Sequence, residues 1–165
     1  MSGEELPVST GAADWPSKED HAALRLWLNL LNASQAVKSV IRHRLHEQFD
    51  TSLARFDFLA QLHRAPDGLR MQEISTRLMV TGGNVTGLTD SLEREGLVKR
   101  SADPADRRAF RVSLTAAGRK RFAAMALAHE KWITDVLGAV SKREMQQLQD
   151  VLSKIKRAAN LESGR

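Results

Sequence analysis

The 165-residue sequence contains no cysteine. That excludes disulfide scaffolds, Cys-containing zinc fingers, iron–sulfur clusters and thiol catalysis. No apolar run approaches the roughly 20 residues needed to span a bilayer, and the first thirty positions lack the basic-then-apolar layout of a signal peptide. A soluble cytoplasmic protein with no membrane partner is therefore expected. Glycine-rich nucleotide loops are missing too: Gly82-Gly83-Asn84 follows no strand and lacks the Gly-x-Gly-x-x-Gly spacing. Asn84-Val85-Thr86 matches a glycosylation sequon, but nothing routes the chain to a secretory compartment. No nucleophile stands beside a base, so no catalytic residues and no enzyme are expected. His43 and His46 lie at i, i+3 with no carboxylate or Cys at matching spacing, so neither a metal nor a cofactor is expected.

What is present is an ordinary globular composition, 42% hydrophobic and 27% charged, in a length suited to one domain with extra oligomerisation helices. The net charge of +5 is unevenly spread. Glu4, Glu5, Asp14, Glu19 and Asp20 face only Lys18 in the first twenty residues. Residues 97–122 hold eight Lys and Arg against Asp103 and Asp106. Positive density of that kind points to an anionic partner, provided the fold displays it.

Neither glycine nor proline occurs from Ser17 to Ala65. After an acidic tail over 1–16, Ser17 with Asp20 predicts a helix start. Leu24, Leu28, Leu31, Ile41, Leu45 and Phe49 then recur at helical spacing, which predicts a long helix over 17–49. At ~45 Å for about 30 residues, it outruns so small a domain, so part of its face is expected to meet a second subunit. Asp50-Thr51-Ser52 caps a second helix, which Pro66-Asp67-Gly68 ends. Met71, Ile74 and Leu78 mark a short third helix. A fourth runs to Glu95, with Val85, Leu88 and Leu92 inward and Asn84, Thr86, Gly87, Asp90, Ser91 and Arg94 outward. Leu97-Val98-Lys99-Arg100 reads as a strand, residues 101–108 as a polar turn, and Phe110, Val112 and Leu114 as the inward side of a second strand. A helix-turn-helix followed by a two-stranded ribbon with an Arg-rich tip is the order of a winged helix-turn-helix. Two more helices follow, capped by Thr115 and Ser141. Their apolar surface exceeds what one reading head covers, so a symmetric homodimer is expected. The fold class is thus mainly α with a small β-wing: a winged helix-turn-helix over 50–114 between the 17–49 helix and dimerisation helices over 115–160, then a short tail over 161–165.

At these residues the sequence resembles the MarR family of bacterial transcriptional regulators. Asp103-Pro104-Ala105-Asp106-Arg107-Arg108, followed by Leu114-Thr115-Ala116-Ala117-Gly118, is similar to the family's wing motif. Residues 88–98 are similar to the end of its recognition helix, and residues 55–62 to its second helix. The likeness spans about His21 to Arg157. It implies a dimeric, ligand-responsive DNA-binding regulator, a repressor, on a pseudo-palindromic double-stranded operator. The competing expectation is an interaction scaffold that keeps the fold without sequence-specific DNA binding.

Phosphate neutralisation gives affinity for DNA, and base edges give specificity. The resemblance makes Arg108 the wing arginine of the minor groove and Asp106 the acid that pairs with it. Lys99, Arg100 and Arg107 are assigned to phosphate on charge and position. Thr81, Asn84 and Thr86 open the recognition helix, where small polar side chains meet base edges or phosphates; Arg94 joins them from the outer face. The family often carries arginine at the position of Gly87 and proline at that of Gly83. Three glycines in this helix cost it stability; the two expectations are that they allow close backbone approach to DNA or that Gly87 is simply tolerated.

The resemblance also implies a small effector, often aromatic or anionic, held between dimerisation helices and reading head. Trp27, Arg42, His43, His46, Phe49, Phe58 and His63 are the expected lining residues. Basic and aromatic side chains suit a phenolic or carboxylate ligand, while the run from Lys38 to Arg44 suits a coenzyme A thioester.

Overall fold

The computed structural model describes residues 20–106 and 109–164. The chain divides into two compact units, residues 1–38 and 39–165. In the first, the described residues belong to helix α1 (Asp20–Phe49), and Leu24, Leu26, Trp27, Leu28 and Leu31 are all exposed. The expected start at Ser17 lies outside the described residues.

The second unit holds the winged helix-turn-helix. Ile41 and Leu45 on the last turns of α1 are buried. Asp50 then takes a positive φ, and Ser52 caps α2 (Leu53–His63), its hydroxyl oxygen accepting the Arg55 amide at 3.3 Å. Phe56, Phe58, Leu59 and Leu62 of α2 enter the core. Strand β1 (Leu69–Arg70) leads into α3 (Met71–Leu78), α4 (Gly82–Arg94), β2 (Val98–Ala102), β3 (Phe110–Leu114), α5 (Ala116–Val136) and α6 (Lys142–Ser163). Leu69, Ile74, Val85, Leu92, Val98, Val112, Leu114, Phe122, Met125 and Trp132 complete the core. The mainly helical architecture with a small sheet is the one expected.

Four details differ from the sequence reading. The sheet has three strands in the order β1-β3-β2, not two, all antiparallel. A strand as short as Leu69–Arg70 has no room for an alternating pattern, and pairing with Val112 and Arg111 defines it. Phe110 is 54% exposed rather than inward, because its one strand partner is Ala102 and β1 does not reach it. Ser91 is half-buried rather than outward, and Thr89, fully buried, takes an inward position of α4. Finally, α6 passes residue 160 and runs to Ser163, with Gly164 as its C-cap. Its start is as read: Ser141 and Glu144 form a reciprocal capping box.

No described helix is long and apolar enough to cross a membrane.

Candidate nucleic-acid interface and adjoining cleft

Helix α4 has two unlike sides. Inward, Val85, Thr89 and Leu92 are buried, and the Thr89 hydroxyl is satisfied by donating to the Val85 carbonyl at 2.7 Å. Outward, Thr81, Asn84, Thr86 and Arg94 are exposed. Thr86 spends its hydroxyl hydrogen on the Gly82 carbonyl at 3.1 Å, which leaves lone pairs for a donor from outside. A Cβ built on Gly82, Gly83 or Gly87 meets nothing within 4 Å, so no packing inside the chain requires glycine there.

The wing is fastened at its root by an ion cluster that sequence reasoning missed. Asp103, its side chain fully buried, accepts from Arg70 Nε at 2.7 Å, from Arg111 Nε at 2.8 Å and from the Ala105 amide at 2.8 Å. Arg111 also donates to the Gly68 carbonyl at 3.0 Å. The Arg70 hydrogen bond, then the Ala105 amide and Arg111, hold the Asp103 carboxyl well below the usual carboxylate range. Two guanidiniums on one carboxylate tie the strand before α3 to both arms of the ribbon.

A second close fit joins the wing to α5. The Leu97 carbonyl lies 1.9 Å from where a Cβ on Gly118 would stand. Only glycine admits that approach. Thr115 donates its hydroxyl to the Gly96 carbonyl at 2.6 Å and accepts the Gly118 amide at 3.0 Å.

Of the residues assigned to DNA, Lys99 is exposed on β2. Arg100 is not a free phosphate ligand: its guanidinium is paired with both Asp90 and Glu93 of α4, and its amide donates to Glu93 at 3.0 Å. Two carboxylates have claimed the charge, so Arg100 braces helix to wing. Asp106 shapes the turn through its backbone, donating to the Asp103 carbonyl at 3.3 Å and accepting from Ala109 at 2.9 Å. Arg107 and Arg108, and with them the Asp106–Arg108 pair, lie outside the described residues.

The expected ligand residues separate. Arg42, His43 and His46 line one cleft of about 570 Å³ with Ser52 and Arg55. Phe58 does not join them; it is completely buried, because α2 turns it into the core. Phe49 packs edge-on to Trp132 at 6.2 Å, and His63 sits against Phe122 at 4.8 Å. Neither lines that cleft. Trp27 belongs to the first unit and is exposed. Carboxylates do stand one helical turn beyond each histidine: His43 lies 3.2 Å from Glu47, and His46 lies 4.0 Å from Asp50. Among the described residues no group of three His, Asp or Glu is arranged to hold a metal ion.

Residues 49–109 match the MarR family. Over 87% of this chain and 99% of its own, a MarR family transcriptional regulator from Silicibacter pomeroyi is 34% identical, with a TM-score of 0.75. The chain belongs to the MarR family. As a MarR-family protein it is also 31% identical to the HTH-type transcriptional repressor YetL of Bacillus subtilis (strain 168), over 76% of this chain and 75% of that one. A Staphylococcus aureus MepR–DNA complex is 27% identical over 79% of this chain and 96% of that one, with a TM-score of 0.68. The protein is a MarR-type helix-turn-helix transcriptional regulator, and its relatives are transcriptional regulators rather than enzymes.

Within this MarR-family chain, the wing motif thus has an internal purpose beside any external one. Asp103 and Gly118 are needed by the fold itself. Arg70 and Arg111 escaped sequence reasoning because their partner is 33 and 8 residues away, at no periodic spacing. Arg55 escaped because an arginine on an amphipathic helix reads as a solvated charge.

Proposed function

We propose that the protein is a homodimeric repressor that reads a pseudo-palindromic operator with α4 and its wing, and releases it when a small anion binds. The observation that carries the DNA reading is the outer side of α4. Asn84 and Thr86 stand beside open glycine backbone, and Arg94 is exposed further along, on a helix whose inner side is buried and which Arg100 ties to the wing. The MepR–DNA complex supports it by kinship. Thr81, Asn84, Thr86 and Arg94 meet bases and nearby phosphates, Lys99 meets backbone, and Arg107 and Arg108 extend the contact from the wing tip. The name of YetL supports repression.

Dimerisation is supported by apolar side chains left uncovered on two helices. Leu24, Trp27, Leu28 and Leu31 are exposed on α1, and Leu148, Leu152 and Ile155 on α6, a helix with no buried residue. Isolated surface leucines are ordinary, but stripes at helical spacing fit a partner.

The test is footprinting on DNA just upstream of the protein's own gene, with sedimentation of the free protein. The expected result is a dimer protecting two half-sites about 10 base pairs apart, centre to centre. A monomer, or equal affinity for every sequence offered, overturns the reading.

A further inference from the structure

Arg55 stands on the wall between two clefts. The 570 Å³ cleft at the α1–α2 corner is lined by Arg55, Arg42, His43 and His46. A second cleft, of about 280 Å³, is lined by Arg55, Glu95 and Arg121 among others. From α2, the Arg55 guanidinium reaches the end of α4: one terminal nitrogen donates to Ser91 Oγ at 3.1 Å, and the other is paired with Glu95. Its Nε is sealed from solvent and has no partner, which among the described residues makes it the one buried side-chain polar atom left unsatisfied. A buried donor without an acceptor is costly, and an acceptor supplied from outside would relieve it.

We propose that Arg55 is the relay between effector and DNA: a small organic anion, a carboxylate or phosphate monoester, enters the larger cleft and competes with Glu95 for the Arg55 guanidinium. The charge of the cleft selects the anion. Arg42 and Arg55 are permanently cationic, and the two histidines add donors, against Asp50 as the acid on the wall. The volume is that of an ordinary small-molecule site. The Ser91 and Glu95 contacts supply the consequence. When Arg55 turns to the anion, the last turn of α4 loses its tie to α2, and the recognition helix is no longer held in its DNA-reading position. Glu95 is the anion's rival, so coupling must run both ways. Whatever weakens Glu95's hold on Arg55 must strengthen the anion's.

The relay deepens the proposed ligand-responsive function and rests on it, yet its main readout needs no DNA. Benzoate, phenyl phosphate and uncharged benzamide are titrated calorimetrically into the full-length wild type, Arg42→Gln, Glu95→Gln and Ser91→Ala, each checked for folding by its circular-dichroism melt. At least one of the two anions should bind the wild type and benzamide should not. Arg42→Gln should weaken that binding. Glu95→Gln should tighten it about fivefold or more, and Ser91→Ala should tighten it in the same direction by less. Removing an acid beside a cationic cleft raises anion affinity by Coulomb attraction alone, so Ser91→Ala, which changes no charge, is the variant that separates the relay from simple electrostatics. Unchanged or weaker anion binding in Glu95→Gln overturns the relay, as does benzamide binding as well as benzoate, or neither anion binding. Should Glu95→Gln not fold, Ser91→Ala decides by the same sign. A protein that shows the tightening yet binds no DNA keeps the competition between anion and Glu95 for Arg55, and overturns both the repressor reading and the step from Arg55 to DNA.

Discussion

The wing root and the outer side of α4 are built on opposite plans. At the root the groups answer one another: Asp103 has three donors, Arg111 has two acceptors in Asp103 and the Gly68 carbonyl, and Gly118 has no space for a methyl group. On the outer side of α4 three glycines look onto open space, and Asn84 is exposed. The difference teaches where each kind of constraint comes from. The root's residues are explained by contacts within the chain. Those of the α4 face are not, and Gly83 and Gly87 cost the helix stability with no packing inside the chain that requires them.

The sharpest way to break this comparison is at Asp103. Asp103→Asn leaves Arg70 and Arg111 side by side with a neutral acceptor between them. It should lower the melting temperature more than any other change considered, and reduce DNA affinity at least about tenfold, because two like charges are left side by side with the acid that holds the wing root removed. Melting curves and fluorescence anisotropy on the same protein check both; an unaltered melt would mean the root is not held by this cluster. Next comes Gly118→Ala, which forces a Cβ against the Leu97 carbonyl and should destabilise by about 1–3 kcal/mol in urea unfolding. On the other side the sign reverses. Gly87→Ala should stabilise the protein by roughly 0.5–1 kcal/mol while weakening DNA binding. Stabilisation without a loss of DNA affinity would show that the backbone of α4 does not approach DNA at Gly87.

The smallest effect concerns acid. His129 packs on Phe56 at 4.9 Å, and burial pushes its imidazole below the ordinary 6.5, against a weaker opposing pull from Asp57. The folded state therefore prefers the neutral ring. Its contribution to stability is complete above about pH 6.5 and declines as the pH falls from there through the lowered folded value. Urea midpoints measured down to pH 5 should fall less steeply in His129→Gln than in the wild type.

Much of this was legible in the order of residues. The α3–α4 pair, the β2–β3 ribbon and the caps at Ser52, Thr115 and Ser141 follow from apolar spacing and capping chemistry, which are local. The motif residues carried the family. What stayed hidden is non-local. Nothing in the spacing of Arg55, Ser91 and Glu95 joins α2 to α4, and the same holds for Arg70 with Asp103. Arg100 reads as a free cation until Asp90 and Glu93 are seen on the neighbouring turns of α4. Phe58 reads as a pocket wall because an aromatic among basic residues looks the same whether it lines a cavity or fills one.

The pairing of Arg100 has a consequence for how the protein responds to ionic strength. A guanidinium already neutralised inside the fold displaces no condensed cation from DNA, so it adds nothing to the thermodynamic count of ions released. Arg100 is engaged by two carboxylates in this way, and Asp103 offsets one of the two charges that Arg70 and Arg111 bring to it. Association should then weaken with added potassium chloride more gently than the cationic composition of residues 97–122 implies. Discrimination between operators would lean correspondingly on the shape of the surface that α4 presents.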